Sequence, residues 1–309
     1  MSRAAIVVRG LIKDYGRTRA LAGLDLEVHE GEVYGFIGPN GAGKSTTIRV
    51  LMDLLRPTAG SVEVFGQPPS DGGPALRARI GYLPGELALG GRVKAGEHLA
   101  HLAALRGGRG RSSIGPLAER FGLDLQRPVR ALSKGNKQKV GVIQAFMHEP
   151  ELLVLDEPTS GLDPLLQHEF LELLRERAQG GATVFMSSHV LREVETVADR
   201  VAVIKDGRTV DVDSVAGLRH RAGQRVSLRF AEPPDASDAA AIGGVEQVQV
   251  EGATLHCLLH GEPDDLLKWA ARSRVVGWSA RDRDLEDLFL DAYRNHGVAD
   301  DTEGARDAR

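Results

Sequence analysis

One cysteine, Cys257, stands in 309 residues. No disulfide can form within the chain, which fits a reducing compartment. No stretch approaches the ~18 consecutive apolar residues that a bilayer-spanning helix requires. If the protein works at a membrane, another polypeptide supplies the crossing. The opening residues Met1-Ser2-Arg3-Ala4-Ala5-Ile6-Val7-Val8-Arg9 lack the apolar core of a signal peptide. Excess positive charge is missing as well. Lys and Arg total 39 against 43 Asp and Glu, a formal net charge of −4, so the chain as a whole carries no bulk signal for nucleic acid or anionic lipid. No internal repeat is visible. What remains is ordinary globular material, with 42% hydrophobic residues, enough for one large or two ordinary domains.

Against that background one segment is highly specific. Gly38-Pro39-Asn40-Gly41-Ala42-Gly43-Lys44-Ser45 fits G-x-x-x-x-G-K-[ST]. It lies between a short apolar run, Val33–Ile37, that reads as a buried strand, and a helical stretch, Thr46–Leu55, ended by Pro57 and Gly60. Glycines let the backbone curl so that successive N–H groups converge on a phosphate at the positive end of the following helix. Lys44 then reaches the β- and γ-phosphates, and the Ser45 hydroxyl can ligate Mg²⁺. The segment predicts a nucleoside triphosphate site.

Strands are expected at Ile6–Val8, Leu24–Val28, Val33–Ile37, Val62–Phe65 and Ile80–Leu83. From about Val93 to Glu149 a helical period takes over, interrupted by a loop at Gly107-Gly108-Arg109-Gly110. Strand and helix then alternate: Leu152–Leu155, a helix over Leu165–Gln179, Thr183–Met186, a helix over Val190–Ala198, and Arg200–Ile204. This is the pattern of a parallel α/β fold with a mostly helical insertion. After about Gly217 the composition shifts. Strands at 226–230, 245–250 and 254–259, with helices at 264–271 and 284–293 and an apolar run at 275–278 between them, indicate a small α+β domain. Beyond His296 the chain is polar and charged, and disorder is expected.

Leu152-Leu153-Val154-Leu155-Asp156-Glu157 ends an apolar run in two carboxylates. A buried parallel strand delivers its last side chains to the carboxyl edge of the sheet, where phosphate loops also lie. Asp156 is placed to hold Mg²⁺, and Glu157 to accept a proton from the water attacking the γ-phosphate.

With this pair the chain resembles the nucleotide-binding subunit of an ATP-binding cassette (ABC) transporter, in motif order over residues 4 to about 217. The resemblance implies a P-loop ATPase of the ABC type: an antiparallel β subdomain, a parallel-sheet core and a helical subdomain at about 88–150, together residues 1–217. A small α+β domain at 218–296 and a tail at 297–309 follow. It further implies that ATP is held by Gly38, Pro39, Asn40, Gly41, Ala42, Gly43, Lys44, Ser45 and Thr46. Leu132-Ser133-Lys134-Gly135-Asn136-Lys137-Gln138 resembles the family signature LSGGQ, which closes over the γ-phosphate of ATP bound to the other subunit. Ser133 offers a hydroxyl, Gly135 permits close backbone approach, and the helix start favours an anion; Ser133 alone would also serve as an N-cap.

Ser160-Gly161-Leu162-Asp163 matches the D-loop that crosses the dimer interface, and Asp163 can at once be the N-cap ahead of Pro164. His189, after Met186-Ser187-Ser188, matches the histidine that contacts the γ-phosphate, and Tyr15, in Lys13-Asp14-Tyr15-Gly16, the aromatic that stacks on adenine. Read singly, such a histidine is a surface or capping residue and such a tyrosine a packing residue. Two features depart from the pattern. Lys134 and Asn136 stand where the signature has Gly and Gln. Gly85 occupies the place of the Q-loop glutamine, so that either Glu86 next to it substitutes as the Mg²⁺ contact or backbone and water suffice.

One copy of each motif implies that a chain cannot close its own site. Two cassettes, identical copies in the simplest case, are expected to trap two ATP molecules head to tail. The partner is then a separate multi-spanning subunit at the cytoplasmic face of a bacterial membrane. The tail Asp284-Leu285-Glu286-Asp287-Leu288-Phe289-Leu290 resembles an S-L-E-D-x-F-L pattern of bacterial ABC-2-type exporters, including drug and antibiotic resistance pumps. An alternative is a soluble ABC ATPase of translation or DNA repair. Such translation factors normally carry two cassettes, and the repair type carries coiled-coil or zinc-binding insertions, of which neither a long heptad run nor paired cysteines is visible. A passive binder is disfavoured by the intact Asp156–Glu157 pair. No nucleic-acid partner is expected, and the transported molecule is not written in this chain.

Overall fold

Alternating apolar residues over the first thirty positions build a long hairpin, and that hairpin carries the first third of the core. In the computed structural model, which describes residues 3–283, β1 (Ala4–Tyr15) pairs antiparallel with β2 (Thr18–His29), turning where Gly16 adopts φ +60°. Ile6, Val8 and Leu11 are buried with Leu24, Leu26 and Val28. The chain then enters β3 (Val33–Ile37), α1 (Lys44–Leu51), β4 (Ala59–Val64), α2 (Pro69–Ala78) and β5 (Ile80–Leu83). A helical region follows with α3 (Ala95–Leu105), α4 (Ile114–Arg120) and α5 (Lys134–Phe146). The last part of this unit alternates: β6 (Leu152–Asp156), α6 (Pro164–Gln179), β7 (Thr183–Ser188), α7 (Leu191–Val197), β8 (Arg200–Lys205) and β9 (Arg208–Ser214).

These elements form a three-stranded sheet ordered β2-β1-β4 and a six-stranded sheet ordered β5-β6-β7-β3-β8-β9. The five strands from β5 to β8 run parallel. Every residue of β3, β6 and β7 is buried, the continuous apolar pattern of strands covered on both faces. β3 lies between β7 and β8, so a strand from early in the chain sits between two late ones. The carboxyl ends of β3, β6 and β7 therefore converge on one edge, the place where ligands bind in such sheets.

The expected helix over 46–55 is shorter in the structure. It closes at Leu51 because Asp53 adopts φ +56°, with Leu54 N–H bonded to the Arg49 carbonyl at 2.9 Å and Asp53 N–H to that of Val50 at 3.0 Å. That is a Schellman closure with Asp in the position glycine usually takes. Three elements were not foreseen. α2 forms across Gly72-Gly73-Pro74 with a kink at Gly73, φ +52°, and β9 and α8 (Val215–Ala222) occupy the stretch around the composition shift.

The chain divides into two compact units, Met1–Val212 and Asp213–Arg309. The second unit holds α8, β10 (Gln224–Phe230), β11 (Val245–Glu251), β12 (Thr254–Leu259), α9 (Asp264–Ala270) and β13 (Val275–Asp282). Its antiparallel sheet is ordered β11-β12-β10-β13. Val226, Leu228, Phe230, Leu255 and Leu259 make a core with Leu266 of α9. Cys257 belongs to that core, and burial pushes its thiol up to about 11, leaving it unreactive. The helix expected over 284–293 and the tail at 297–309 lie outside the described residues.

Candidate functional site

The loop from β3 to α1 is shaped by Gly43, which caps α1 at φ +110°, and a Cβ there would stand 2.8 Å from the Ala20 carbonyl and 2.7 Å from Leu21 Cδ2. No other residue type fits that combination without displacement. Around the loop opens a cavity of about 200 Å³ lined by Ala20, Pro39, Asn40, Gly41, Gly43, Lys44, Ser45, Thr46 and Glu157. Gly38 contributes its carbonyl, which accepts from Lys44 Nζ at 2.6 Å; Pro39 O accepts from the same amine at 3.3 Å. Ala42 is buried, its carbonyl accepting from Gly207 N–H at 3.0 Å, so β8–β9 braces the loop from behind.

The Lys44 side chain is only 6% exposed, and Nζ lies 3.2 Å from Glu157 Oε1. The contact falls off the hydrogen-bonding axis and is an ion pair. The other Glu157 oxygen, Oε2, is 2.6 Å from His189 Nδ1. Lys44, Glu157 and His189 thus form a chain of contacts with the carboxylate in the middle. Glu157 is 19% exposed and His189 52% exposed, so the row runs from the buried loop outward to solvent.

Glu157 reaches this position because its backbone turns to φ +48° directly after β6. Such a conformation costs a non-glycine residue about 1–2 kcal/mol, and Ser187 holds it. The Glu157 N–H lies 3.2 Å from the Ser187 carbonyl and 3.1 Å from Ser187 Oγ. The same hydroxyl donates to Asp156 Oδ1 at 2.7 Å, and both Asp156 and Ser187 are buried. Gly85 abuts the other carboxylate oxygen: a Cβ at this position would stand 3.1 Å from Asp156 Oδ2. Glu86 is exposed and does not line the cavity. Ser45 and Asp156 offer a hydroxyl and a carboxylate. Such hard oxygen donors fit Mg²⁺, which keeps water and phosphate oxygens in its other positions.

The remaining candidates stand apart from the phosphate-loop cavity. Ser133 is the N-cap of α5, accepting from Asn136 N–H at 3.3 Å, and Asp163 is the N-cap of α6, accepting from the N–H groups of Leu165 and Leu166 at 3.1 Å. The capping readings therefore hold for both, and both side chains remain exposed. Gly135 lies against the turn at Gly161 of its own chain, since a Cβ there would be 2.9 Å from the Gly161 carbonyl. A Cβ at Gly161 would stand 3.6–3.7 Å from the Lys134 side chain. One turn further along α5, buried Gln138 donates from Nε2 to the Pro158 carbonyl at 2.8 Å. Tyr15 is 45% exposed, with the Lys13 ammonium 5.4 Å from its ring centroid.

Sequence reasoning missed the groups that hold the site from behind. Ser187 stood in the quoted motif without a role. Thr159 and Glu193 were not singled out. Thr159 Oγ1 donates to Glu193 Oε2 at 2.6 Å, and Ser188 Oγ is 3.4 Å from the same oxygen. Burial holds the Glu193 carboxyl above the usual carboxylate range, and Glu157 adds to this, while the bonds from Thr159 and Ser188 work the other way. A carboxylate four residues after a histidine was the only linear signal available.

The chain is similar to several known proteins. The family profile described as ABC transporter matches residues 21–160. The daunorubicin resistance ATP-binding protein DrrA3 of Streptomyces coeruleorubidus is 38% identical over 97% of this chain and 98% of its own length. The Nod factor export ATP-binding protein I of Paraburkholderia xenovorans (strain LB400) is 32% identical over 94% of this chain and 97% of its own. Among solved structures, an ATP-binding subunit of an ABC transporter superposes with a TM-score of 0.65 at 32% identity, covering 70% of this chain and 92% of that one.

Proposed function

The chain belongs to the ABC transporter family, and from that premise we propose that it is the ATP-hydrolysing subunit that powers export of a drug, antibiotic or similar compound across a bacterial membrane. It is a nucleotide-binding ATPase that works with a membrane permease and as a pair of cassettes. The observation that carries the reading is the contact row Lys44–Glu157–His189 at the mouth of the phosphate loop. The relatives named for resistance and export align over nearly the whole chain, through the second unit as well as the cassette, and this supports export.

In this reading the loop N–H groups from Gly41 to Thr46 and the Lys44 ammonium bind the phosphates. Ser45 and Asp156 would hold Mg²⁺, which would supply charge compensation to the phosphate oxygens. Glu157 takes the proton of the attacking water, and its carboxylate is steered by Ser187 through the backbone. His189 is hydrogen-bonded to that carboxylate and faces solvent, where it meets the γ-phosphate. Tyr15 offers an open ring face to adenine. Ser133, Gly135 and Asp163 act in trans, completing the site of a second, identical chain, and the permease is of the ABC-2 type at the cytoplasmic face.

Glu157→Gln tests this directly. The variant is expected to bind ATP, lose turnover and accumulate as an ATP-bound dimer in size-exclusion chromatography. Hydrolysis at the wild-type rate would remove Glu157 as the base. Co-purification from native membranes, in detergent, tests the transport assignment: a stoichiometric multi-spanning subunit is expected, and recovery in the soluble fraction alone would count against it.

A further inference from the structure

α7 begins two residues after His189, with Val190 as its N-cap, and its third residue is Glu193. At that position a glutamate ordinarily reaches back to the N–H of the capping residue. Here it does not. The N–H of Val190 is taken by Ser188 Oγ at 2.9 Å, and the Glu193 carboxylate turns across to the loop after β6, where the buried Thr159 hydroxyl donates to it at 2.6 Å. Ser188, at the end of β7, stands 3.4 Å from the same oxygen. One carboxylate oxygen thereby joins the loop that begins with Glu157 to the strand end that presents His189. An apolar side chain would fill this half-buried place without the desolvation that a carboxylate suffers.

We propose that Glu193 is a positioning residue for ATP hydrolysis, tying the loop of Glu157 to the loop of His189 through Thr159 so that the two keep their mutual register. Glu193 does not line the phosphate-loop cavity; it acts through the residues that flank it. The inference rests on the assignment of Glu157 as the base. It separates the two supports of the site. Ser187 fixes the backbone at Glu157, and Glu193 fixes the next two residues against β7.

The test is steady-state ATP hydrolysis by the full chain in wild type, E193A, E193Q, T159V and the double variant E193A/T159V, with E157Q as reference. Loss of the tie is expected to lower kcat roughly ten- to a hundredfold in E193A and T159V, with KM for ATP within about twofold of wild type. E193Q, whose amide oxygen still accepts from Thr159, is expected to restore most of kcat. The double variant should be no slower than the slower single one, because both remove the same contact. Hydrogen exchange supplies a readout independent of turnover: backbone amides at 157–163 and 187–190 should exchange faster together in E193A, with β3 unchanged. Wild-type kcat in both single variants, or a double loss equal to the product of the single ones, would overturn the tie. Should E193A not fold, the isosteric T159V carries the same comparison. Wild-type turnover in E157Q would instead overturn the assignment of the base, so the two failures are distinct.

Discussion

Ser187 Oγ donates to Asp156 Oδ1 at 2.7 Å, and the same oxygen stands 3.1 Å from the N–H of Glu157. One hydroxyl at the end of β7 thus sets both carboxylate residues at the end of β6. Its removal leaves the buried Asp156 carboxylate short of a partner and the Glu157 N–H with the Ser187 carbonyl alone, at about 1–3 kcal/mol. Ser187→Ala is therefore expected to lower stability by that order in urea denaturation. It should also reduce kcat for ATP more than it raises KM. A variant as stable and active as wild type would show that adjacent backbone bonds suffice.

The phosphate loop allows a comparison between two glycines. Gly43 at φ +110° has the Ala20 carbonyl where a Cβ would come within 2.8 Å, whereas Gly16 at φ +60° has nothing within 4 Å of that point. Gly16→Ala should cost only about 1 kcal/mol of backbone strain and leave nucleotide binding intact. Gly43→Ala adds a steric clash and is expected to lose ATP binding, read by titration with a fluorescent ATP analogue. Equal affinities in the two variants would refute the loop geometry.

His148, buried after α5, has Nε2 3.1 Å from the Ile80 carbonyl, so the neutral ring donates there. Burial, reinforced by Arg106 and Arg109, pulls its pKa down from 6.5 to about 4. As pH falls from 6.5 toward 4 the unfolded chain takes up a proton that the folded chain refuses. Stability is full above that window and drains within it, by about 3 kcal/mol in all. His148→Gln keeps a donor for Ile80 and cannot titrate. Its urea midpoint should fall less between pH 7 and pH 5 than that of wild type, and parallel shifts would assign the acid sensitivity to other groups.

How far the sequence carried this description depended on separation along the chain. The phosphate loop was legible because eight consecutive residues spell it, and β6 because its apolar run ends abruptly in Asp156 and Glu157. The Ser187–Asp156 and Glu193–Thr159 bonds join positions 31 and 34 residues apart, and no local pattern encodes them. α2 was hidden by Gly72, Gly73 and Pro74, residues that ordinarily mark a turn and here mark a kink. The end of α1 was misplaced because an aspartate, Asp53, does what a glycine usually does. The place of β3 between β7 and β8 follows from packing of the whole sheet, which the order of elements does not state.

The bond from Gln138 to the Pro158 carbonyl fastens the signature helix to the turn that carries Glu157. In the proposed head-to-tail pair, each chain's α5 would reach toward the nucleotide of the other. A shift of one Glu157 turn would then pass through Gln138 to the opposite site. On that proposal the two sites are coupled, and the rate of ATP hydrolysis is expected to rise sigmoidally with ATP concentration.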